Sequence, residues 1–389
     1  MAFSDFLIIF AASSKKHMKI GYDAKRIVRN GTGLGNYGRT LVNDIARQDA
    51  QLDLRLYAPD KGRDELRGQI VAQDNVSFCY PHDSALPFSK AWWRTKGIIK
   101  DLQKDQIQIY HGLTGELPFG ISKTNIRSVV TIHDLFFLRH PEFYHWLDTK
   151  IYAWKFQQTI READHIIAIS ECTKRDIMEF GEVDGDQISV IYQSCAPRFE
   201  GRGKMEDGRR EKEEGRYILS VGSIEERKNI LLAVKALPYL PEDLQLVMVG
   251  RHTAYTDVVT NYARSHGLER RVKILHGVKD EELPRLYADA EAFVYPSVYE
   301  GFGIPIIEAI STGLPVVACT GSCLEEAGGP DSLYVAPDDA EGMAAAIRQT
   351  LRGVQGREER IMRSQAYIRK FEGQNVARQV IDLYHQLLF

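Results

Sequence analysis

The sequence predicts an α/β fold of two parallel-sheet domains, and three observations carry that expectation. At 389 residues the chain exceeds what one hydrophobic core usually serves. Apolar runs alternate with helical patterns in two successive series, separated by a polar, charge-dense stretch from Arg198 to Arg216. Near residue 300, one strand–loop–helix–strand unit is legible almost residue by residue. Two α/β blocks joined by a linker are the shape of two facing Rossmann-like domains with a cleft between them. The expected bounds are residues 18–197 and 198–373.

The strand-like runs of the first block are Lys19–Tyr22, Leu52–Ala58, Val76–Tyr80, Ile107–Tyr110, Val129–Ile132, His165–Ile169 and Ile188–Tyr192. Helical patterns lie between several of them, as at Gly35–Arg47 and Trp146–Glu162. The second block reads Tyr217–Val221, Leu244–Val249, Val272–Leu275, Ala292–Tyr295 and Val316–Cys319. Near-continuous apolar strands of this kind belong to sheets covered on both faces.

Composition is that of an ordinary soluble protein: 44% hydrophobic, 26% charged, net charge −3. That balance gives no reason to expect a nucleic-acid partner. The five cysteines, Cys79, Cys172, Cys195, Cys319 and Cys323, are odd in number and lack paired spacing. This argues for a reducing compartment, hence a cytoplasmic protein, and against a disulfide framework or zinc site. Phe6–Ala12 is too short to span a bilayer. Lys15 and Lys16 follow it, the reverse of a signal peptide. Residues 1–17 read as an extension before the first strand.

The stretch from Ala292 to Gly329 organises the rest. After Tyr295-Pro296 a loop, Ser297 to Ile304, carries Gly301 and Gly303. Pro305 opens a helix running to about Ser311, and Gly313 suits its left-handed terminus. Ligands of such units bind beyond the carboxyl ends of the strands, where this loop lies. The two glycines let amides around Phe302, Gly303 and Ile304 approach an anion, most simply a phosphate. Glu300 and Glu308 frame the site. Carboxylates repel phosphate but accept from hydroxyls, which suits a sugar and a ribose. A phosphate flanked by polyols is a nucleotide-sugar.

In its setting, Y-E-G-F-G-I-P-I-I-E-A-I-S-T-G-L-P-V-V, the pair Glu300 and Glu308 resembles the signature of family 4 glycosyltransferases, which are retaining enzymes of the GT-B fold. The resemblance runs from Met18 to the C-terminus and is looser in the first half. It implies that the last helix, 374–389, returns to the first domain. It also implies a glycosyl donor site in the second domain and an acceptor site in the first. Glu300 would position the transferred sugar, and Glu308 the ribose.

Gly33-Leu34-Gly35-Asn36-Tyr37-Gly38 formally matches the dinucleotide fingerprint, with Asp53 twenty residues after Gly33. Ten residues separate Tyr22 from Gly33, however, where a dinucleotide loop follows its strand at once. The resemblance implies instead a loop over the donor phosphates, with Gly33 and Gly35 on the donor side and Asn36 toward the acceptor. His133, ending the strand S-V-V-T-I, is without context a packed or capping residue. The resemblance places it beside the donor sugar, contacting a hydroxyl or steadying the anomeric carbon, with Asp134 on the acceptor side. His111 is the analogous position one strand earlier and an acceptor-side candidate. Ser170 reads as a helix N-cap.

A departing nucleoside diphosphate needs positive charge. Arg227 and Lys228, in G-S-I-E-E-R-K-N after the strand Y-I-L-S-V, stand at a strand's carboxyl end. Many family members carry an arginine where this chain has Ser223, so that part of the basic clamp is missing or supplied by Arg227, and Lys228 becomes its main member. Gly250 reads either as a donor-binding position of close backbone approach or as a simple turn. The resemblance gives Val278 backbone contacts to the base. Asp184-Gly185-Asp186 is the one D-x-D sequence, and it reads as a turn. No metal and no cofactor beyond the nucleoside-diphosphate sugar are expected.

Pro87 to Lys104 mixes two tryptophans with five cations. It reads as a helix with one tryptophan in the core, or as a surface lying on an anionic membrane. The whole describes a metal-independent, retaining hexosyltransferase, its first-choice donor GDP-mannose, its acceptor a glycan or lipid-linked hydroxyl in surface polysaccharide synthesis. It would work in the cytoplasm, at the inner face of the membrane where the acceptor requires it. Two alternatives are an epimerase or phosphorylase of similar fold, and an inactive nucleotide-sugar-binding subunit. Intact Glu300, Glu308, Lys228 and His133 argue against the second.

Overall fold

A computed structural model of the chain describes residues 17–81, 87–199 and 215–389. Nearly all of the expected N-terminal extension, and most of the linker after Arg198, lie outside them. The first sheet is β1 (Lys19–Asp23), β2 (Asp53–Tyr57), β3 (Val76–Cys79), β4 (Ile109–Gly112), β5 (Arg127–Ile132), β6 (His165–Ala168) and β7 (Ile188–Val190). The second is β8 (Tyr217–Val221), β9 (Gln245–Val249), β10 (Val272–Leu275), β11 (Phe293–Tyr295), β12 (Val316–Cys319) and β13 (Leu333–Val335). Every pairing is parallel. The orders are β3-β2-β1-β4-β5-β6-β7 and β10-β9-β8-β11-β12-β13. In each sheet the chain winds one way and then the other, so the order reverses between β1 and β4 and again between β8 and β11. Crevices open at such switch points, beyond the carboxyl ends of the strands.

Six helices bear on the site: α1 (Gly33–Gln48), α2 (Trp146–Glu162), α3 (Glu171–Gly181), α4 (Ile304–Ser311), α5 (Leu324–Gly328) and α6 (Gly373–Leu388). The last returns to the first domain. Val376, Ala377, Val380 and Tyr384 pack with Leu41 and Ile45 of α1 over one face of the first sheet, each large apolar side chain contributing about 1.5–3 kcal/mol. Gly373 lies so close to α1 that a methyl there would stand 2.3 Å from Asp44.

One apolar cluster crosses between the domains, joining Phe136, Ile169 and Cys172 to Tyr299, Phe302 and Ile306. Polar contacts lock the same seam. Ser170 caps α3 as expected, accepting from the Thr173 amide at 3.0 Å, and donates to the Gly301 carbonyl at 2.7 Å. The Glu326 carboxylate of α5 accepts from the amides of Glu171 and Cys172, 2.7 and 2.9 Å away. A helix N-terminus in one domain is thus closed by an anion from the other. Buried Tyr299 donates to buried Asp176, whose second partner is Arg139.

Two expectations about elements change. β13 is an additional edge strand, three half-buried residues pairing only with β12. The fourth strand lies two residues later than expected, because the Ile107 amide is spent on the carbonyl of Leu102 at the preceding helix end. That shift puts His111 inside the sheet.

Candidate active site

The second sheet's switch point is built by two loops. The β8 loop brings Arg227 and Lys228, and the β11 loop brings Glu300, 72 residues away in sequence. Lys228 Nζ donates to Glu300 and, at 2.9 Å, to the Tyr295 hydroxyl, which itself donates to Glu300 at 3.1 Å. Arg227 Nη1 stands 3.6 Å from the other Glu300 oxygen. Burial alone would discharge this carboxyl, but Lys228 and then Arg227 outweigh it and hold Glu300 below the usual carboxylate range. For Lys228 burial works against the charge, and Glu300 more than restores it. Tyr295 is pushed up to about 12 by burial and by Glu300. The ammonium has three donors and spends two here, so one remains for an incoming oxyanion.

Arg227 links the domains. Its guanidinium pairs with Glu225 at 3.1 Å and lies over the ring of Phe136, 5.5 Å from the centroid. Ser223 stands half-buried on the same loop. Lys228 and Arg227 thus share Glu300 as their common counter-ion.

Gly303 precedes α4 with φ +123°, a conformation that side-chain-bearing residues rarely adopt, and a methyl there would stand a tight 3.2 Å from Ala327. Phe302 itself is a core residue, stacked on Tyr192 at 5.3 Å and edge-on to Phe371 at 5.1 Å. Glu308, one turn on, is 8% exposed and accepts from Tyr287 at 2.9 Å. Burial pushes its carboxyl up to about 7, and the positive charge of Arg198, the main opposing influence after Tyr287, comes from the segment leaving the first domain. Val278 packs half-buried against the same core.

Several expected roles require correction. Gly301 does not open the loop to a ligand: a methyl there would lie 2.0 Å from the His133 carbonyl, so this glycine lets the two domains touch. Gly250 is likewise consumed by the protein, 2.0 Å separating such a methyl from the Gly222 carbonyl. Gly33 and Gly35 lie in the first turn of α1 rather than in a loop, and Gly35 packs on the Asn30 carbonyl. The side-chain oxygen of Asn36 is held by Arg39.

His111 faces no acceptor. Buried in β4, it bonds Tyr384 at 2.7 Å and Thr131 at 2.8 Å, and burial pushes it down to about 3. His133 does sit between the domains, but both ring nitrogens are engaged. Nε2 donates to the Leu113 carbonyl at 2.8 Å, so Nδ1 accepts from Gln193 at 2.8 Å. Burial keeps this imidazole neutral down to about pH 4, and the ring packs edge-on with Tyr37 at 4.8 Å. Asp134, beside it, opens to solvent in the cleft. Asp184 caps its own turn, accepting from the Asp186 amide at 3.3 Å.

Residues 31–194 match the model of "Glycosyltransferase Family 4", and residues 202–368 that of "Glycosyl transferases group 1". The O-antigen chain mannosyltransferase B of Escherichia coli is 32% identical over 391 residues, covering 95% of this chain and all of the relative. The chain is a family 4 glycosyltransferase. The O-antigen chain mannosyltransferase RfbU of Salmonella typhimurium is 28% identical, over 91% of this chain and 96% of its own. Among solved structures, that of Anabaena Alr3699/HepE in complex with UDP superposes with a TM-score of 0.71 at 16% identity, covering 95% of this chain and 100% of its own. The fold of this glycosyltransferase is GT-B, two Rossmann-like domains about a cleft, and the Glu300–Lys228–Arg227 cluster lies at its second switch point.

The family signature did not disclose the groups that hold these residues. Tyr295, Tyr287, Gln193 and the Tyr299–Asp176 pair carry no local pattern of their own. Tyr295 alone stood close enough, five residues before Glu300, to be read as a partner.

Proposed function

We propose that this glycosyltransferase moves a mannosyl group from GDP-mannose to a hydroxyl of a glycan or lipid-linked acceptor in surface polysaccharide synthesis, with retention and without a metal. The observation that carries the reading is the half-buried cation pair Lys228–Arg227 sharing Glu300 at the second switch point. Lys228 and the α4 amides neutralise the departing diphosphate. Its own oxygen takes the acceptor proton as the acceptor attacks the same face of the sugar. Glu308 accepts from the ribose hydroxyls, Val278 meets the base through its backbone, and Glu300 orients the sugar. The choice of mannose rests on the names of the two O-antigen relatives.

The protein works in the cytoplasm and meets its acceptor at a membrane surface. Among the described residues no helix is long and apolar enough to cross a membrane, yet α2 leaves Trp146, Leu147, Ile151 and Trp154 exposed. In the 87–104 segment Trp93 is buried and bonds Asp101 at 2.6 Å, while Trp92 stays outside. One tryptophan is therefore core and the other surface. The test is incubation with GDP-mannose and a mannose-terminated acceptor, with the anomeric proton of the product read by NMR. An α-linkage formed in EDTA supports the reading. A β-linkage defeats retention, loss of product in EDTA defeats metal independence, and product formed without acceptor points to an epimerase.

A further inference from the structure

The first sheet has a switch point too, between β1 and β4, and a cavity of about 910 Å³ opens there. It lies between the loops after those strands, the 87–97 segment and α2. Five cations line it, Lys25, Arg29, Lys90, Arg94 and Lys155, against two carboxylates, Asp23 and Glu116. Most are already engaged. Arg94 bridges Asp23 and Glu116, Lys155 stands 3.6 Å from Glu116, and Arg29 and Lys90 share Asp60 outside the cavity. Lys25 is the exception. Its ammonium forms no hydrogen bond or ion pair with a described residue, though it is half-buried. Burial and the nearby Arg94 depress its pKa. A positive site left short of counter-charge favours an incoming anion.

The cavity adjoins the donor site through one shared wall. The loop after β4 holds His133 on the donor side through the Leu113 carbonyl, and lines the cavity on the other side with Glu116, Leu117 and Phe119. Its Gly115 carbonyl is fixed by Thr159 of α2 at 3.1 Å. The opposite rim is apolar. Trp154 lines the cavity, is 55% exposed and packs on Phe119 at 5.9 Å. Ile151, Leu147 and Trp146 continue along α2, with Lys150 over the Trp146 ring. Residues 147, 151 and 154 recur at helical spacing, so this is one continuous exposed stripe.

We propose that this cavity is an acceptor subsite that takes the phosphate of an amphiphilic acceptor against Lys25 and Lys155, with the apolar chain leaving over Trp154 along α2. The assignment rests on the glycosyltransferase reading for its purpose, but its test needs no turnover.

Decyl phosphate is titrated calorimetrically into the full chain in the presence of saturating GDP, UDP and ADP together, with inorganic phosphate and decanol as controls. Decyl phosphate binds, and inorganic phosphate and decanol each bind more weakly. Lys25→Gln with Lys155→Gln weakens decyl phosphate about tenfold or more without altering the thermal shift given by the nucleotides. Trp154→Ala narrows the gap between decyl phosphate and inorganic phosphate. Unchanged affinity in the lysine variant overturns the proposal, as does displacement of decyl phosphate by the nucleotides, which would place it in the donor site. If no nucleotide shifts the protein while decyl phosphate still binds, the donor reading fails and this one stands.

Discussion

Glu308→Gln separates stability from binding, because the two should change in opposite directions. Glu308 is almost wholly buried, its one direct partner among the described residues is the Tyr287 hydroxyl, and burial raises its carboxyl from 4.5 to about 7. A raised folded-state value means that the native protein holds this proton more tightly than the unfolded chain does. The associated stability is therefore complete below about pH 4.5 and is lost as pH rises through 7. At 1.36 kcal/mol for each pH unit, the buried carboxylate costs about 3 kcal/mol when fully ionised. Glutamine keeps an acceptor for Tyr287 and carries no charge. Thermal unfolding of the second domain at pH 8.5 should then rise by about 6 °C or more in the variant, with little difference at pH 5. Nucleotide affinity at pH 8.5 should fall about tenfold, since a charged acceptor for the ribose hydroxyls has become neutral. An equal stability difference at both pH values would refute the buried-carboxylate argument, and unchanged affinity would remove Glu308 from the ribose.

Other substitutions test other parts. Lys228→Ala should lower turnover about a hundredfold, on the order of 3 kcal/mol of transition-state stabilisation; wild-type turnover would take Lys228 out of the clamp. Gly301→Ala places a methyl 2.0 Å from the His133 carbonyl, so the domains should part, seen as a larger radius of gyration by X-ray scattering, and an unchanged radius would show the seam to be soft. Tyr299→Phe removes the donor to Asp176 but leaves Arg139 as its partner. It should cost about 1–2 kcal/mol in urea unfolding, and no cost would show that the contact contributes nothing. Glu326→Ala uncaps α3 from across the seam and should cost about 1 kcal/mol by the same measurement.

The strands were legible because both faces of each are covered, so their runs are apolar throughout and need no periodicity to be seen. β13 was not, since three half-buried edge residues fall below the length at which such a run stands out. Gly35, Gly250 and Gly301 show where local reading fails. Each looks like a loop glycine awaiting a ligand, yet each is required by a backbone elsewhere in the chain, which only the packed structure reveals. His111 misled for a related reason: a two-residue shift in the start of β4 turns a residue at a strand's end into one inside the sheet. Glu300, Glu308 and the glycines beside them could be read together because they sit in one contiguous signature. Even there, the pairing of Glu300 with Lys228 across 72 residues follows from β8 and β11 being neighbours, and strand order is not written in either segment.

The proposed function requires the crevice between β8 and β11 to bind a nucleoside diphosphate through Lys228 and Arg227. Thermal unfolding with GDP, UDP and ADP, in EDTA, for the wild type and for Lys228→Ala, tests it most directly. A clear rise is expected with one of the three, GDP foremost, that EDTA leaves intact and Lys228→Ala greatly reduces. No rise with any of them, or an equal rise in the variant, would contradict it.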